Sequence, residues 1–121
     1  MTAQIKITPK DNMVIVQIIG HTTLQDFYAL TEKISDGKKY IHNRRFYDFR
    51  KSQLDLSTEE MRTLAAKTKQ LSQGYSKVAL LAGSDLSYGL SRMFEVLREQ
   101  DYSDIYVFRD EDKAMEWILS D

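Results

Sequence analysis

The sequence has no cysteine and little proline or glycine. Its 121 residues include one proline and five glycines. Because cysteine is absent, the chain can form no disulfide, thiolate metal site, haem thioether link or thiol nucleophile. The scarcity of proline and glycine leaves no linker that could separate two folded units. Since 121 residues is an ordinary length for one domain, we predict that residues 1–121 form a single domain.

Neither sign of charge dominates, and no hydrophobic run is long. Seventeen basic and eighteen acidic side chains leave a net charge of −1, which gives no general attraction for nucleic acid or an anionic membrane. The longest apolar stretch, residues 13–19, is far shorter than the roughly 18 residues that a membrane-spanning helix needs. The first residues lack the basic start and apolar core of a secretory signal. We therefore expect a cytoplasmic protein with no nucleic-acid partner and at most peripheral membrane contact.

The hydrophobic residues that are present are sufficient for a folded core, at 42% of the chain. Residues 4–8 alternate in polarity and residues 13–19 are rich in β-branched side chains, with a turn-rich segment between them. This pattern predicts an antiparallel hairpin at the start of the chain.

After residue 22 the pattern alternates between helices and strands. Gly74 is placed to end the second helix. Capping residues mark three helix starts: Thr23 with Asp26, Ser57 with Glu60, and Asp110. The predicted helices cover residues 23–36, the segment from 57 to Gly74, residues 85–100 and the segment after Asp110, and the predicted strands cover residues 45–49, 77–82 and 104–108.

The third helix carries a distinctive apolar pattern. Its hydrophobic residues recur at helical spacing and form a stripe: Leu86, Leu90, Met93, Phe94 and Leu97. Gly89 lies inside the same helix, where glycine costs roughly 1 kcal/mol relative to alanine. A packing requirement, or the close approach of another backbone or a ligand, would explain it.

The element order is therefore ββαβαβαβα. Strands that alternate with helices of this length require right-handed crossovers and a mainly parallel sheet. We predict an α/β fold with four helices, an antiparallel first strand at an edge, and residues 77–82 as a central strand because their run is continuously apolar.

Candidate functional residues follow from this architecture, because ligands of open α/β sheets bind beyond the carboxyl ends of the strands. The predicted strand ends and the turns that follow them carry His21, Asp48, Arg50, Gly83, Ser84, Asp85, Arg109 and Asp110, with Tyr88 one turn into the third helix. We expect these residues to share one edge of the sheet.

Several chemistries are compatible with these residue types. His21, Asp48 and Ser84 are the types of a hydrolase triad, although residues 82–86 lack the second glycine of a nucleophile elbow, and Ser84 or Asp85 can instead cap the third helix. The turn at Gly83 could hold an anion with help from Arg50 and Arg109, or Arg109 could simply pair with a neighbouring aspartate. Neither GxGxxG nor GxxxxGK[ST] is present.

Metal and lipid sites have weaker support. His21 and His42 stand alone, without the spacing of metal ligands, so we expect no structural metal and no cofactor. Residues 38–45 form the one basic cluster, which could contact lipid headgroups or nucleic acid but is more typical of a solvated loop that supports a helix end.

The element order and three short segments, residues 46–50 (FYDFR), 84–93 (SDLSYGLSRM) and 107–110 (VFRD), make the chain similar to a known family. It resembles the SpoIIAA-like, STAS-related (STAS/SEC14-type) group of small bacterial proteins. The resemblance implies a non-enzymatic regulatory or ligand-sensing domain, whose relatives bind protein partners under the control of serine phosphorylation, or bind lipids and small molecules. Residues 48–53 contain no serine followed by glycine, so no phosphorylation site is carried over.

We therefore predict a module that binds a protein partner or a small ligand at the carboxyl-end rim of the sheet. The residues of this rim are Asp48, Arg50, Gly83, Ser84, Asp85, Tyr88 and Arg109. The alternatives are a carrier of a small anionic or amphiphilic ligand with peripheral membrane contact, and a serine hydrolase. An edge strand and amphipathic helices are also compatible with a homodimer.

Overall fold

The computed structural model describes residues 3–10, 12–34, 43–71, 76–98 and 104–120. Its elements are β1 (Gln4–Lys10), β2 (Met13–Thr22), α1 (Leu24–Ile34), β3 (Arg44–Leu54), α2 (Thr58–Leu71), β4 (Lys77–Leu81), α3 (Asp85–Leu97), β5 (Asp104–Phe108) and α4 (Glu111–Leu119). The predicted order ββαβαβαβα is confirmed. Within the described ranges, no helix is both long enough and apolar enough to cross a membrane.

The five strands form one sheet whose spatial order is β1-β2-β3-β4-β5. β1 is antiparallel to β2 at one edge, as predicted, and the other neighbours are parallel. The middle strand is β3, so the prediction that residues 77–82 are central is wrong. β4 is nevertheless interior, and all five of its residues are buried because both faces of the sheet are covered there. A continuously apolar run indicates that both faces of a strand are buried. It does not indicate the position of that strand in the spatial order of the sheet.

Helices cover the two faces unequally. On one face α1 contacts α2 and α2 contacts α3, and the core there includes Val16, Phe27 and Leu64. On the other face α4 is the one helix among the described residues, and it packs through Ala114 and Ile118. Right-handed crossovers that always step in the same direction leave their helices on one face, whereas α4 follows the last strand and is free to cover the other.

The predicted helix starts are confirmed. The backbone N–H of Ser57 donates to Glu60 Oε1 at 3.0 Å, and the N–H of Glu60 donates to Ser57 Oγ at 3.1 Å, which completes the capping box. The N–H of Thr23 donates to the Asp26 carboxylate at 2.9 Å. Gly74 and the predicted helix ends at residues 35–36 and 99–100 lie outside the described residues.

Two strands run further than predicted. β2 continues to Thr22 and β3 to Leu54, while the pairing of β3 with β4 ends at Asp48 opposite Leu81. Residues 19–22 and 51–54 therefore pair beyond the end of β4, and we call them the β2–β3 ribbon. The register shifts between Gln17 and Ile19, where β3 gains one residue in a bulge. Asp48 and Arg50 thus lie within a strand and not after it.

α3 is present as predicted, but the side that it buries is unusual. An amphipathic helix ordinarily places its apolar side against the core. Here the buried residues of α3 are Ser87, Ser91 and Glu95, whereas Leu86 is 67% exposed and Leu97 is 41% exposed. α3 contacts α2 and rests on β5, the last strand at its edge of the sheet, so a large part of its surface has no described helix beside it.

Candidate functional site

Asp48 is the buried acid of the rim, at 7% exposure. It lies in β3 between Gln17 of β2 and Leu81 of β4. The bulge that follows it brings Arg50 back onto the same carboxylate. Arg50 donates its backbone N–H and its Nε to Asp48 Oδ1, both at 3.0 Å, and its Nη2 to Oδ2 at 2.8 Å. This is a bidentate pair reinforced by a backbone hydrogen bond.

Arg50 has a second acidic partner, Glu111 in the first turn of α4. Arg50 Nη2 lies 3.4 Å from Glu111 Oε1, and Nη1 lies 3.5 Å from Oε2. We call Asp48, Arg50 and Glu111 the Arg50 cluster. Glu111 is not among the predicted rim residues, because its separation of 61 residues from Arg50 leaves no local signal in the sequence.

Both members of the Asp48–Arg50 pair are held in their charged forms. Burial alone would raise the pKa of Asp48, but the hydrogen bonds and charge of Arg50, with a contribution from Lys51, outweigh it and lower that pKa below its ordinary value. The hydrogen bond to Asp48 raises the pKa of Arg50 despite some desolvation. Neither group can exchange a proton easily near neutral pH, so the pair is poorly suited to general acid–base catalysis.

Gly83 joins the turn after β4 to this cluster. A Cβ at Gly83 would lie 2.7 Å from Arg50 Cα and 2.9 Å from the Arg50 carbonyl oxygen. Real Cβ atoms do not approach backbone atoms this closely, so the turn can pass Arg50 only because residue 83 has no side chain.

Asp85 and Tyr88 form a second cluster around Arg109, next to the helix-capping Ser84. Ser84 Oγ accepts the N–H of Ser87 at 3.1 Å, so Ser84 caps α3 as anticipated. Arg109 Nη1 donates to Asp85 Oδ1 at 2.6 Å, which confirms the predicted pairing with a neighbouring aspartate. The guanidinium also lies 5.7 Å from the centre of the Tyr88 ring. We call Asp85, Tyr88 and Arg109 the Arg109 cluster.

The seven predicted rim residues are thus connected, but they differ in their structural roles. Five belong to the two arginine clusters, and Gly83 and Ser84 shape the turn between them. Arg50 and Arg109 have 43% and 48% of their side chains exposed, so each is both fixed and accessible. Three carboxylates face two guanidinium groups in these clusters, which makes the rim slightly acidic.

The residues of the possible hydrolase triad have separate partners. His21 Nε2 lies 2.8 Å from Asp55 Oδ2, Asp48 binds Arg50, and Ser84 accepts the N–H of Ser87. His21 pairs in register with Gln53 of β3. Gln53 lies five residues beyond Asp48, so the two positions are about 16 Å apart along the strand. The longer strands carry His21 out along the β2–β3 ribbon, away from the edge it was expected to share.

The basic cluster at residues 38–45 is only partly described, because residues 38–42 lie outside the described ranges. Arg44 donates to the Leu119 carbonyl oxygen at 3.2 Å, at the end of α4, so this arginine supports a helix terminus. Across the described ranges, no three His, Asp or Glu side chains are grouped so that they could hold a metal ion.

A groove that the sequence did not indicate lies at the opposite end of β5. Its volume is about 230 Å³. The groove is lined by Arg92, Glu95, Val96 and Arg98 from the end of α3 and by Asp104, Ile105 and Tyr106 from β5. The Arg92–Glu95 ion pair, at 2.6 Å, lies among these residues. No predicted rim residue contributes to the groove.

Comparison with known proteins identifies the architecture. The sequence matches no protein-family model, and no curated protein sequence matches it. An uncharacterised protein of the DUF3478 family from Shewanella loihica PV-4, described as having a SpoIIAA-like fold, is similar in structure with a TM-score of 0.58. The alignment covers 96% of this chain and 93% of that chain at 17% sequence identity. The chain therefore has the SpoIIAA-like α/β fold that its sequence resembles.

Proposed function

We propose that this protein is a non-enzymatic regulatory module that binds a protein partner at the rim. The observation that carries the proposal is the Arg109 cluster, in which an ion pair and an aromatic ring hold a half-exposed arginine in place. Arginine and tyrosine are among the residues most enriched at the centres of protein interfaces. Because Arg109 is already ordered, a partner loses little side-chain entropy by contacting it.

The charges of the rim favour a protein partner over a small anion. Arg50 already has two carboxylate partners and Arg109 has one. A phosphate or carboxylate ligand would have to compete with those carboxylates, whose negative charge opposes its binding. A protein surface can instead contact both members of each pair and share their hydrogen bonds. The anionic-ligand carrier is therefore the less favoured function.

Binding is also favoured over catalysis by the protonation states. The lowered pKa of Asp48 and the raised pKa of Arg50 keep both groups ionised over the pH range in which most enzymes work. The Ser84 hydroxyl is occupied by the N–H of Ser87, and the nearest partner of His21 is Asp55. This arrangement supports a surface for recognition.

The proposal is tested by quantitative affinity purification from the native host. The wild-type chain, a Tyr88→Ala/Arg109→Ala variant and an Arg62→Ala control are compared by mass spectrometry. Arg62 is a suitable control because it is a similarly exposed arginine, 62% accessible, and is paired 3.4 Å from Glu59 on α2. We expect a protein to be recovered with wild type and control and at least about 10-fold less of it with the double variant, since interface hot spots cost 2 kcal/mol or more. Equal recovery with all three chains, at matched urea midpoints, would reject the rim as the binding surface.

A further inference from the structure

We propose that two copies of the chain associate through α3, with the helices antiparallel and related by a twofold axis. The surface is the α3 stripe, which we define as Leu86, Leu90, Met93 and Leu97. This inference goes beyond the proposed function, because the stripe is separate from the Arg109 cluster and its occupant is a second copy of this chain.

The first observation is that the stripe faces outward at both of its ends. Leu86 is 67% exposed and Leu97 is 41% exposed, and Val96 beside it is 53% exposed. Leu90 and Met93 are partly buried and connect this surface to the core. Apart from Tyr88 of the Arg109 cluster, five large hydrophobic side chains are exposed in the described ranges, and three of them lie on α3, so the exposure is concentrated on one helix. Concentrated apolar exposure of this kind marks an interaction surface.

The second observation is that polar residues occupy the buried side of α3. Ser87 and Ser91 are 2% and 3% exposed, and Arg98 at the end of the helix is 6% exposed and donates to Thr68 Oγ1 on α2. Because these side chains already fill the inner side and Arg98 bonds to α2, the stripe cannot be buried by a simple rotation of α3 within the chain. A second chain can bury it without changing the fold.

The third observation concerns spacing and identifies the occupant. The stripe residues are separated by four, three and four positions, the heptad pattern of helices that pack along a seam. This spacing reads the same in both directions. An antiparallel pair therefore places Leu86 opposite the partner's Leu97 and Leu90 opposite the partner's Met93, so that every stripe residue meets an apolar one. Such self-complementarity is what a twofold interface requires, and a second copy of the chain supplies it.

The fourth observation is Gly89, which adjoins the stripe at the centre of α3. A Cβ at this position would meet no atom within 4 Å, so nothing in the described fold requires glycine there. A helix interior nevertheless disfavours glycine relative to alanine. A second helix crossing the outer side of α3 would approach its backbone most closely where the side chain is smallest, which accounts for the glycine.

The length of α3 determines the affinity that we expect between the two copies. α3 has 13 residues and is about 20 Å long. A seam of this length is smaller than the surfaces of stable, permanent dimers, so we expect reversible association with a Kd on the order of micromolar.

Sedimentation equilibrium over a concentration series tests the association. We expect wild type to approach the dimer mass at high concentration, and Leu97→Glu to raise the Kd at least about 10-fold because it places a charge in an apolar seam. Leu119→Glu on α4 is the matched control, since Leu119 is an exposed leucine outside α3, 43% accessible. It should associate like wild type. A monomeric wild type, or unchanged association of Leu97→Glu, would overturn the proposal, whereas rim variants should leave the mass unchanged.

The absence of cysteine allows a direct test of orientation. We expect a Leu86→Cys/Leu97→Cys variant to form disulfide-linked dimers on mild oxidation, because each new thiol faces the other position on the second copy. Within one helix these positions are about 16 Å apart, too far for a disulfide. The single Leu97→Cys variant should therefore remain uncrosslinked. Crosslinking of the single variant would indicate parallel helices, and failure of the double variant to crosslink would exclude the seam.

Discussion

Gly83 brings the turn after β4 directly against the backbone of Arg50, and this contact links the two arginine clusters. The sequence marked Gly83 as a turn residue beside a helix start, which is correct. It could not show that the close neighbour is Arg50, 33 positions earlier, because that approach depends on the bulge in β3. The capping role of Ser84 is predictable because its partner Ser87 is three residues away. The contact of Glu111 with Arg50 is not, because 61 residues separate them.

We predict that Gly83→Ala destabilises the fold by about 2–3 kcal/mol, because the Arg50 backbone can retreat from a new Cβ only by disturbing its hydrogen bonds to Asp48. Urea unfolding of dilute protein measures the effect. Gly89→Ala is the matched control: its Cβ enters open space, and the gain in helix propensity should stabilise the monomer by up to about 1 kcal/mol. Equal effects of the two substitutions would contradict the assigned contact.

The strands and helices were predictable in type and order but less so in extent. β3 was expected to end at residue 49 because residues 50–53 are polar and show no apolar alternation. They extend as a strand because β2 runs alongside and supplies hydrogen-bond partners. The side of α3 that faces the core was not predictable from the sequence either. Periodicity reveals which residues share a side of a helix, and the number of neighbouring layers decides which side is buried.

The end of α4 depends on a lysine that the sequence placed in an apolar run. Lys77 opens β4, is 8% exposed, and donates from Nζ to the carbonyl oxygens of Trp117 and Ser120 at 2.6 and 2.8 Å and to Ser120 Oγ at 2.9 Å. Its ammonium also lies 4.7 Å from the centre of the Trp117 ring. These contacts complete the helix terminus and join it to the sheet.

Replacing Lys77 with methionine should lower the free energy of unfolding by about 2–3 kcal/mol, since hydrogen bonds from a charged donor are lost in a buried setting. Urea unfolding followed by the fluorescence of Trp117, the only tryptophan, measures this and reports the environment of α4. Lys67→Met is the control, because Lys67 pairs with Glu32 on the surface at 3.3 Å and its loss should cost about 1 kcal/mol or less. A loss no larger than that of the control would show that α4 does not depend on Lys77.

The stability of the complete fold should depend on acid through Asp48. The pKa of this carboxyl is lowered in the folded chain, while an unfolded aspartate titrates near 3.9. The ionised form therefore stabilises the fold above about pH 4, and this contribution is lost as pH falls through the lower, folded pKa. We expect the difference in unfolding free energy between wild type and Asp48→Asn to be largest near neutrality and to shrink below about pH 4. A difference that stays constant from neutral to acidic pH would contradict the lowered pKa.

The architecture as a unit was largely predictable, because crossover handedness and element order leave few arrangements open. The antiparallel edge strand and the parallel remainder followed from the hairpin pattern and the alternation of helices and strands. The unequal cover of the two faces was not predictable. α1, α2 and α4 are all amphipathic, and this pattern does not indicate which face of the sheet a helix covers.

The spatial order of the strands repeats their order along the chain, and this has a consequence for biosynthesis. Each strand that leaves the ribosome finds its pairing partner already made, at the growing edge of the sheet. Assembly can start from the β1–β2 hairpin and proceed by addition, so that each parallel pairing has to close one crossover and does not wait for a later segment. Among the described helices, α4 alone covers the second face of the sheet, and it can bind there only after β3 and β4, whose residues it packs against, have paired.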